Sequence, residues 1–250
     1  MQTEITNKRG LSGFALKLIA IIFMAIDHIG AVVVESGILH SGDPEKIQEI
    51  LATDYGQAWY FIDGILRTAG RVAFPIFCFL LVEGFLHTRD VKRYLINLSV
   101  FALISEVFFD LAIFNTYLEF GYQNVYFTLA IGLLTLIGLK RYEGVGKMQA
   151  LVIAGGCALA ILMRTDYSII GILIIVCFYM LRNNKRSQFI AVGAISFFES
   201  FFYFGAAALA LIPIHFYNGE RGRSNFKYAF YIFYPAHLFL LFLIRFAFIR

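Results

Sequence analysis

Asp27 and His28 stand next to each other in an apolar run, Arg67 and Arg71 are four residues apart, and so are Glu106 and Asp110. A second histidine, His237, lies in Tyr234-Pro235-Ala236-His237. An imidazole, with an ordinary pKa of about 6.5, takes and returns a proton at neutral pH, while a guanidinium or an amide stabilises a developing oxyanion. These residue types fit acid–base chemistry or ion coupling. Neighbouring residues on a helix point about 100° apart, so Asp27 is poorly placed to orient His28, and Glu106 or Asp110 is the expected partner of the imidazole. Arg71 or Asn124 is the expected oxyanion donor, and Arg67, Gln123, Asn124 and Thr128 line the expected substrate side.

The surroundings of these residues give them weight. Of the 250 residues 60% are hydrophobic and only 15% charged, with 28 Phe and 14 Tyr, a composition a water-facing surface cannot absorb. A membrane span needs about 20 apolar residues. The sequence predicts nine: 14–34, 60–86, 93–114, 125–139, 147–163, 168–182, 187–199, 200–216 and 227–248, where 187–216 is either two short helices meeting at Glu199-Ser200 or one kinked helix. The expected fold is therefore an all-α, polytopic transmembrane bundle forming a single domain over residues 1–250, with 35–58 as a long acidic outer loop. An ionisable side chain in such a bundle costs several kcal/mol unless it is paired or faces a wet cavity. Asp27, His28, Arg67, Arg71, Glu106 and Asp110 all fall at outer-half depth, His28 about 21 Å from Phe14 at ~1.5 Å per residue. Their number exceeds what two structural ion pairs require. Pro235 further leaves the carbonyl of Tyr231 without its helical donor.

Lys and Arg concentrate in alternate connections: Lys8, Arg9 and Lys17; Arg89, Lys92 and Arg93; Lys140, Arg141 and Lys147; Arg182, Lys185 and Arg186; Arg221, Arg223 and Lys227. That asymmetry places the N-terminus in the cytoplasm and makes the first apolar run a retained helix rather than a signal peptide. Dispersed between spans, these clusters set orientation and do not argue for nucleic acid. Cys78, Cys157 and Cys177 lie in apolar runs without metal-ligand spacing and read as packing residues. Gly144-Val145-Gly146-Lys147 lacks the spacing of a phosphate-binding loop, no dinucleotide motif occurs, and no metal is expected.

The blocks Leu16-Lys17 through Ala25-Ile26-Asp27-His28-Ile29-Gly30, Gly70-Arg71-Val72-Ala73-Phe74-Pro75-Ile76-Phe77, Glu83-Gly84-Phe85, Ser105-Glu106, Gln123-Asn124-Val125, Tyr217-Asn218-Gly219 and Tyr231 through His237-Leu238 run in the order of the TraX family, which the sequence resembles. The resemblance implies a multi-pass protein of the bacterial cytoplasmic membrane. It also implies an acetyltransferase, since the family's named member acetylates the N-terminus of a pilin and the family is similar to integral-membrane acyltransferases. Those carry an Arg, ten residues and a His on the first helix; here Lys17 precedes His28 by that spacing, keeping the charge without the bidentate fork. The implied donor is acetyl-CoA from the cytoplasm, with Lys17, Arg89, Lys92, Arg93, Lys140, Arg221 and Arg223 meeting its phosphates. The implied acceptor is an amine or hydroxyl on a pilin-like peptide, a sugar or a peptidic metabolite. Catalysis falls to His28 as general base, with Asp27, Glu106, Asp110, Arg71 and His237 around it. A proton-coupled permease, and a structural component of a pilus apparatus, are the readings that need no acyl transfer.

Overall fold

The computed structural model describes residues 9–222 and 229–248. It is all-α: among these residues the only β pairings are the isolated bridges Leu11–Tyr217 and Gln123–Thr165. In chain order the helices are α1 (Gly13–His28), which continues as a π-helix over Ile29–Ile38, α2 (Pro44–Leu51), α3 (Asp54–Gly70), α4 (Ala73–His87), α5 (Val91–Ile113), α6 (Val125–Arg141), α7 (Gly146–Leu162), α8 (Ser168–Met180), α9 (Lys185–Glu199), α10 (Leu211–His215) and α11 (Ala229–Phe248). Gly13–Ile38, Asp54–His87, Val91–Ile113 and Ala229–Phe248 are each long and apolar enough to cross a membrane. The chain is an integral membrane protein.

Small polar side chains set the starts. Ser12 accepts from the Ala15 N–H, Asp43 from Glu45 and Lys46 ahead of Pro44, Asp90 from Arg93, Asn124 from Tyr126 and Asn184 from Ser187. The acidic connection 35–58 is not wholly a loop, because α2 occupies its middle. The second expected span begins earlier, at Asp54, and is broken rather than continuous: α3 ends and α4 begins across Arg71-Val72.

Residues 185–215 form a hairpin of two short segments. Phe189 packs against His215, Gly193 against Leu211 and Phe197 against Gly205, an antiparallel register. Phe204 and Gly205 turn the chain in left-handed conformations, and Ser200 holds the turn by accepting the Ala207 N–H on its hydroxyl and the Gly205 N–H on its carbonyl. The returning limb is a 3₁₀ helix over Ala206–Ala210 before α10. At ~1.5 Å per residue α9 climbs about 21 Å, the same as α4 from Ala73 to His87, and Arg71 stands just ahead of α4. The hairpin tip therefore stops at the level of Arg71, where Glu199 meets that guanidinium.

Helix α4 is the central element. It is buried along Ala73, Phe74, Pro75, Ile76, Cys78, Phe79, Leu81, Val82 and Phe85 and packs against α1, α6, α8 and the hairpin. Pro235 has no N–H to offer the Tyr231 carbonyl, and the Tyr126 hydroxyl donates to that oxygen at 3.3 Å. Arg245, buried in α11, donates to the carbonyls of Ala112 at 2.7 Å and Leu111 at 3.0 Å and to Asn115 Oδ1 at 3.2 Å. It thereby satisfies the last carbonyls of α5, the negative end of that helix dipole.

Candidate functional site

Two cavities flank the core. The outer one, at the end of the bundle opposite the N-terminus, has a volume of about 930 Å³. Asp27, His28 and Glu35 line it from α1 and its π-helical continuation, Arg67 and Arg71 from the α3–α4 break, and Asp166 and Tyr167 from the α7–α8 connection. The π-helix starts one residue after His28, and Ser36 donates back to the Ala31 carbonyl at 2.9 Å, matching the five-residue π spacing. Glycines let the elements close on the site. A Cβ at Gly70 would sit 2.2 Å from the Asp27 Cβ, and one at Gly30 would sit 2.9 Å from Asp63 Oδ1.

His28 and His237 form a dyad, Nδ1 of the first lying 2.7 Å from Nε2 of the second. His237 Nδ1 is 2.7 Å from the Phe233 carbonyl oxygen. A carbonyl only accepts, so His237 carries its proton on Nδ1 and presents a bare Nε2. That nitrogen in turn accepts from His28 Nδ1–H, which leaves His28 Nε2 unprotonated. Among the described residues nothing bonds this Nε2. The rings of Phe233, stacked on His237 at 4.8 Å, and Tyr234, edge-on to both histidines at 5.7 Å, fix the planes.

Beside the dyad is an ion-pair network. Arg67 Nη1 is 2.7 Å from Asp27 Oδ2 and also donates to the Asp27 carbonyl at 3.3 Å, while its Nε is 3.6 Å from Glu35 Oε2. Arg71 lies 3.8 Å from Asp27 Oδ1 and 3.6 Å from Glu199 Oε1, with its guanidinium over the Tyr203 ring at 4.7 Å. Asp166 accepts from the Tyr122 hydroxyl at 2.7 Å. Burial pushes its carboxyl above the usual carboxylate range, against the pull of that hydrogen bond and of Arg71.

The expected site residues divide accordingly. Asp27, His28, Arg67 and Arg71 line the outer cavity, and His237 joins through the dyad. Glu106 and Asp110 do not reach the imidazole. Glu106 accepts from the Asn124 backbone at 3.1 Å and from its side-chain amide, and Asp110 accepts the Glu119 N–H at 2.8 Å. Both are spent pinning the 114–124 connection, so His237 replaces them as the partner of His28. Gln123, Asn124 and Thr128 hold the loop that supplies Asp166: Gln123 exchanges backbone bonds with Arg164 and Asp166, and the Thr128 hydroxyl donates to the Asp166 carbonyl. The sequence reading missed Glu35, Asp166 and Glu199 as site residues. Glu35 was findable, two turns beyond Asp27 on one helix, but Asp166 and Glu199 reach the site only through tertiary contacts. His40, in the 35–58 connection, also lines this cavity.

The inner cavity, about 720 Å³, opens at the N-terminal, basic end between α4, α8, α9 and α10. Arg182, Lys185, Arg186, His215, Glu83 and Tyr217 line it. Of the described residues expected to meet donor phosphates, none lines this cavity. Lys17 lies over the Phe230 ring at 5.2 Å and Lys140 over Phe85 at 5.6 Å, Arg89, Lys92, Arg93 and Arg221 are exposed elsewhere, and Arg223 falls outside the described residues. Among the described residues no group of three or more His, Cys, Asp or Glu is placed to hold a metal ion.

The profile of the TraX protein family matches residues 12–245. The chain belongs to the TraX family. It is also 30% identical, over 92% of its length and 94% of the relative's, to a protein of Dichelobacter nodosus named as a probable fimbrial assembly protein, FimC of serogroup H1. No solved structure matches the chain.

Proposed function

We propose that this TraX-family protein is an acyltransferase of the bacterial cytoplasmic membrane that moves an acetyl group from acetyl-CoA to an amine or hydroxyl. The observation that carries the reading is the His28–His237 dyad, whose bonding direction gives His28 a bare nitrogen in a residue lining the outer cavity. In the proposed step His28 Nε2 takes the proton of the acceptor N–H or O–H as the acceptor attacks the thioester carbonyl. The tetrahedral oxyanion is stabilised by Arg71 or Arg67, whose guanidiniums are held in place by Asp27. Collapse breaks the C–S bond, and the imidazolium returns its proton to the departing thiolate, giving a free thiol and the acylated acceptor. His237 is a positioning residue that fixes the tautomer of His28, the part the sequence reading gave to a carboxylate.

The name of the D. nodosus relative, a probable fimbrial assembly protein, supports a pilin-like peptide as acceptor. An amine that arrives as an ammonium sheds one proton to solvent before it attacks, and His28 takes the second. A permease is the second reading, favoured by cavities at opposite ends with an ion-pair network beside one of them. The deciding experiment follows thiol release from acetyl-CoA by purified protein with an amine-terminated peptide. The acyltransferase reading expects peptide-dependent thiol and an acetylated product; solute or proton flux in liposomes without thiol release supports the permease instead.

A further inference from the structure

The inner cavity takes no part in the chemistry above, yet its lining is selective. Arg182 closes α8 and Lys185 and Arg186 open α9, so three cations from one short connection converge on a recess about 720 Å³ in volume. Their engagement differs. Arg182 is committed to its own neighbourhood, donating to the Tyr179 carbonyl at 2.8 Å, lying over the Tyr179 ring at 4.4 Å and pairing with Glu143 at 3.4 Å. Lys185 and Arg186 are exposed, and among the described residues neither has a counter-ion. Glu83 is the carboxylate that lines the recess, and the Tyr217 hydroxyl bonds to it, turning part of its charge away from the cations.

Buried apolar side chains, Phe79, Val82, Phe178 and Ile214, line the recess, with His215 and Asn218 also in its wall. Gln188 does not contribute a free amide, because it donates to the Phe178 carbonyl at 2.7 Å. A cavity with cations at its mouth and aromatic and aliphatic side chains inside fits a ligand with a polyanionic end and a less polar body. The chain segment from Arg71 through α4 lines both cavities. Phe79 stands eight residues along α4 from Arg71, about 12 Å at ~1.5 Å per residue, and Arg71 lines the outer cavity. Phe79 meets Phe178 and Tyr217 edge-on at 5.4 and 5.2 Å, so an aromatic cluster separates the inner recess from the level of the histidine dyad.

We infer that the recess between α4, α8, α9 and α10 is the binding site for the phosphate-bearing end of the acyl donor, with Lys185 and Arg186 meeting the phosphates. The thioester arm then runs along α4 past Phe79 toward Arg71 and His28. The inference rests on the acyltransferase reading for the identity of the donor. An anionic lipid headgroup offers the same phosphate chemistry at a membrane's edge; a recess that also buries aromatic walls favours the soluble nucleotide thioester.

The test is titration calorimetry with coenzyme A, dephospho-coenzyme A and pantetheine, on the full chain in zwitterionic and in anionic nanodiscs. Lys185→Gln/Arg186→Gln removes two exposed charges without touching a described partner, and Arg141→Gln/Lys147→Gln serves as the charge-matched control. The inference expects coenzyme A to bind the parent in both lipids, to lose at least tenfold in affinity in the Lys185/Arg186 variant, and to be unaffected in the control. Pantetheine, having no phosphates, should bind the parent and that variant equally. If coenzyme A binds the parent and the Lys185/Arg186 variant alike, the inference is wrong while the acyltransferase reading stands. Binding seen only in zwitterionic discs makes the recess a lipid-headgroup site and overturns the inference too. No binding of coenzyme A to the parent in either lipid removes both.

Discussion

Replacing Asp27 with Asn should separate the two arginines' shared anchor from the rest of the site. The carboxylate lies 2.7 Å from Arg67 and 3.8 Å from Arg71, and the Asp27 and Arg67 side chains are only 18% and 17% exposed. Removing one member of a buried pair costs about 3–5 kcal/mol, because the remaining charge is left desolvated. Here Glu35 still faces Arg67 and Glu199 still faces Arg71, each at 3.6 Å, and the Asn amide oxygen can accept one of the lost hydrogen bonds. Those partners return part of the loss, so the expected destabilisation is about 2–3 kcal/mol. For a chain of this size that is a fall in melting temperature of about 5–10 °C. The assay is thermal unfolding of detergent-purified protein as a double-mutant cycle of Asp27→Asn with Arg67→Gln. The reasoning expects the double variant to lose less than the two singles together, by more than about 1 kcal/mol of coupling. Additive losses, or a parent-like melting point for Asp27→Asn, would refute it.

Other variants test neighbouring contacts. Arg245→Leu strips three hydrogen bonds from the end of α5 and should cost about 2–4 kcal/mol, read in the same melting experiment. Tyr126→Phe removes the hydroxyl that donates to the Phe230 and Tyr231 carbonyls and should cost about 1 kcal/mol, read in the same melting experiment; a parent-like melting point would refute a stabilising role for that hydroxyl. Gly70→Ala forces a methyl into Asp27 and should lower thermal stability and acetyl transfer together. His237→Ala should depress kcat with little change in KM, and His237→Gln, whose side-chain oxygen can still accept from His28 Nδ1–H, should recover part of the rate; equal rates in both would deny His237 a positioning role.

The sequence makes the helical character and the membrane setting legible, because both rest on local composition and on residues that cap helix starts. It also makes half of the site legible. Asp27, His28, Arg67 and Arg71 stand out as charges at membrane depth, and the four-residue spacing of the arginines reads directly as one helical face. The partner of the imidazole was not legible. Glu106 and Asp110 have the right type and depth, but a carboxylate on a neighbouring helix is equally suited to bind the N–H groups of an irregular connection, and Asn124 and Glu119 claim them. His237 lies more than two hundred residues from His28, and only the packing of α11 against the π-helical end of α1 shows that the two meet. The π winding itself has no signature in composition. The basic clusters carry the same limit: each looks able to hold phosphate, and tertiary structure alone decides that the Arg182–Arg186 connection, and not the Arg89 or Lys140 clusters, edges a cavity.

In the proposed mechanism His28 moves the acceptor proton. The most direct measurement is the rate of thiol release from acetyl-CoA by parent and His28→Ala protein, with an amine-terminated peptide as acceptor and coenzyme A binding measured alongside. The expected result is a loss of about 10²–10⁴-fold in rate with coenzyme A binding retained. A His28→Ala protein that transfers acetyl at the parent's rate would contradict it.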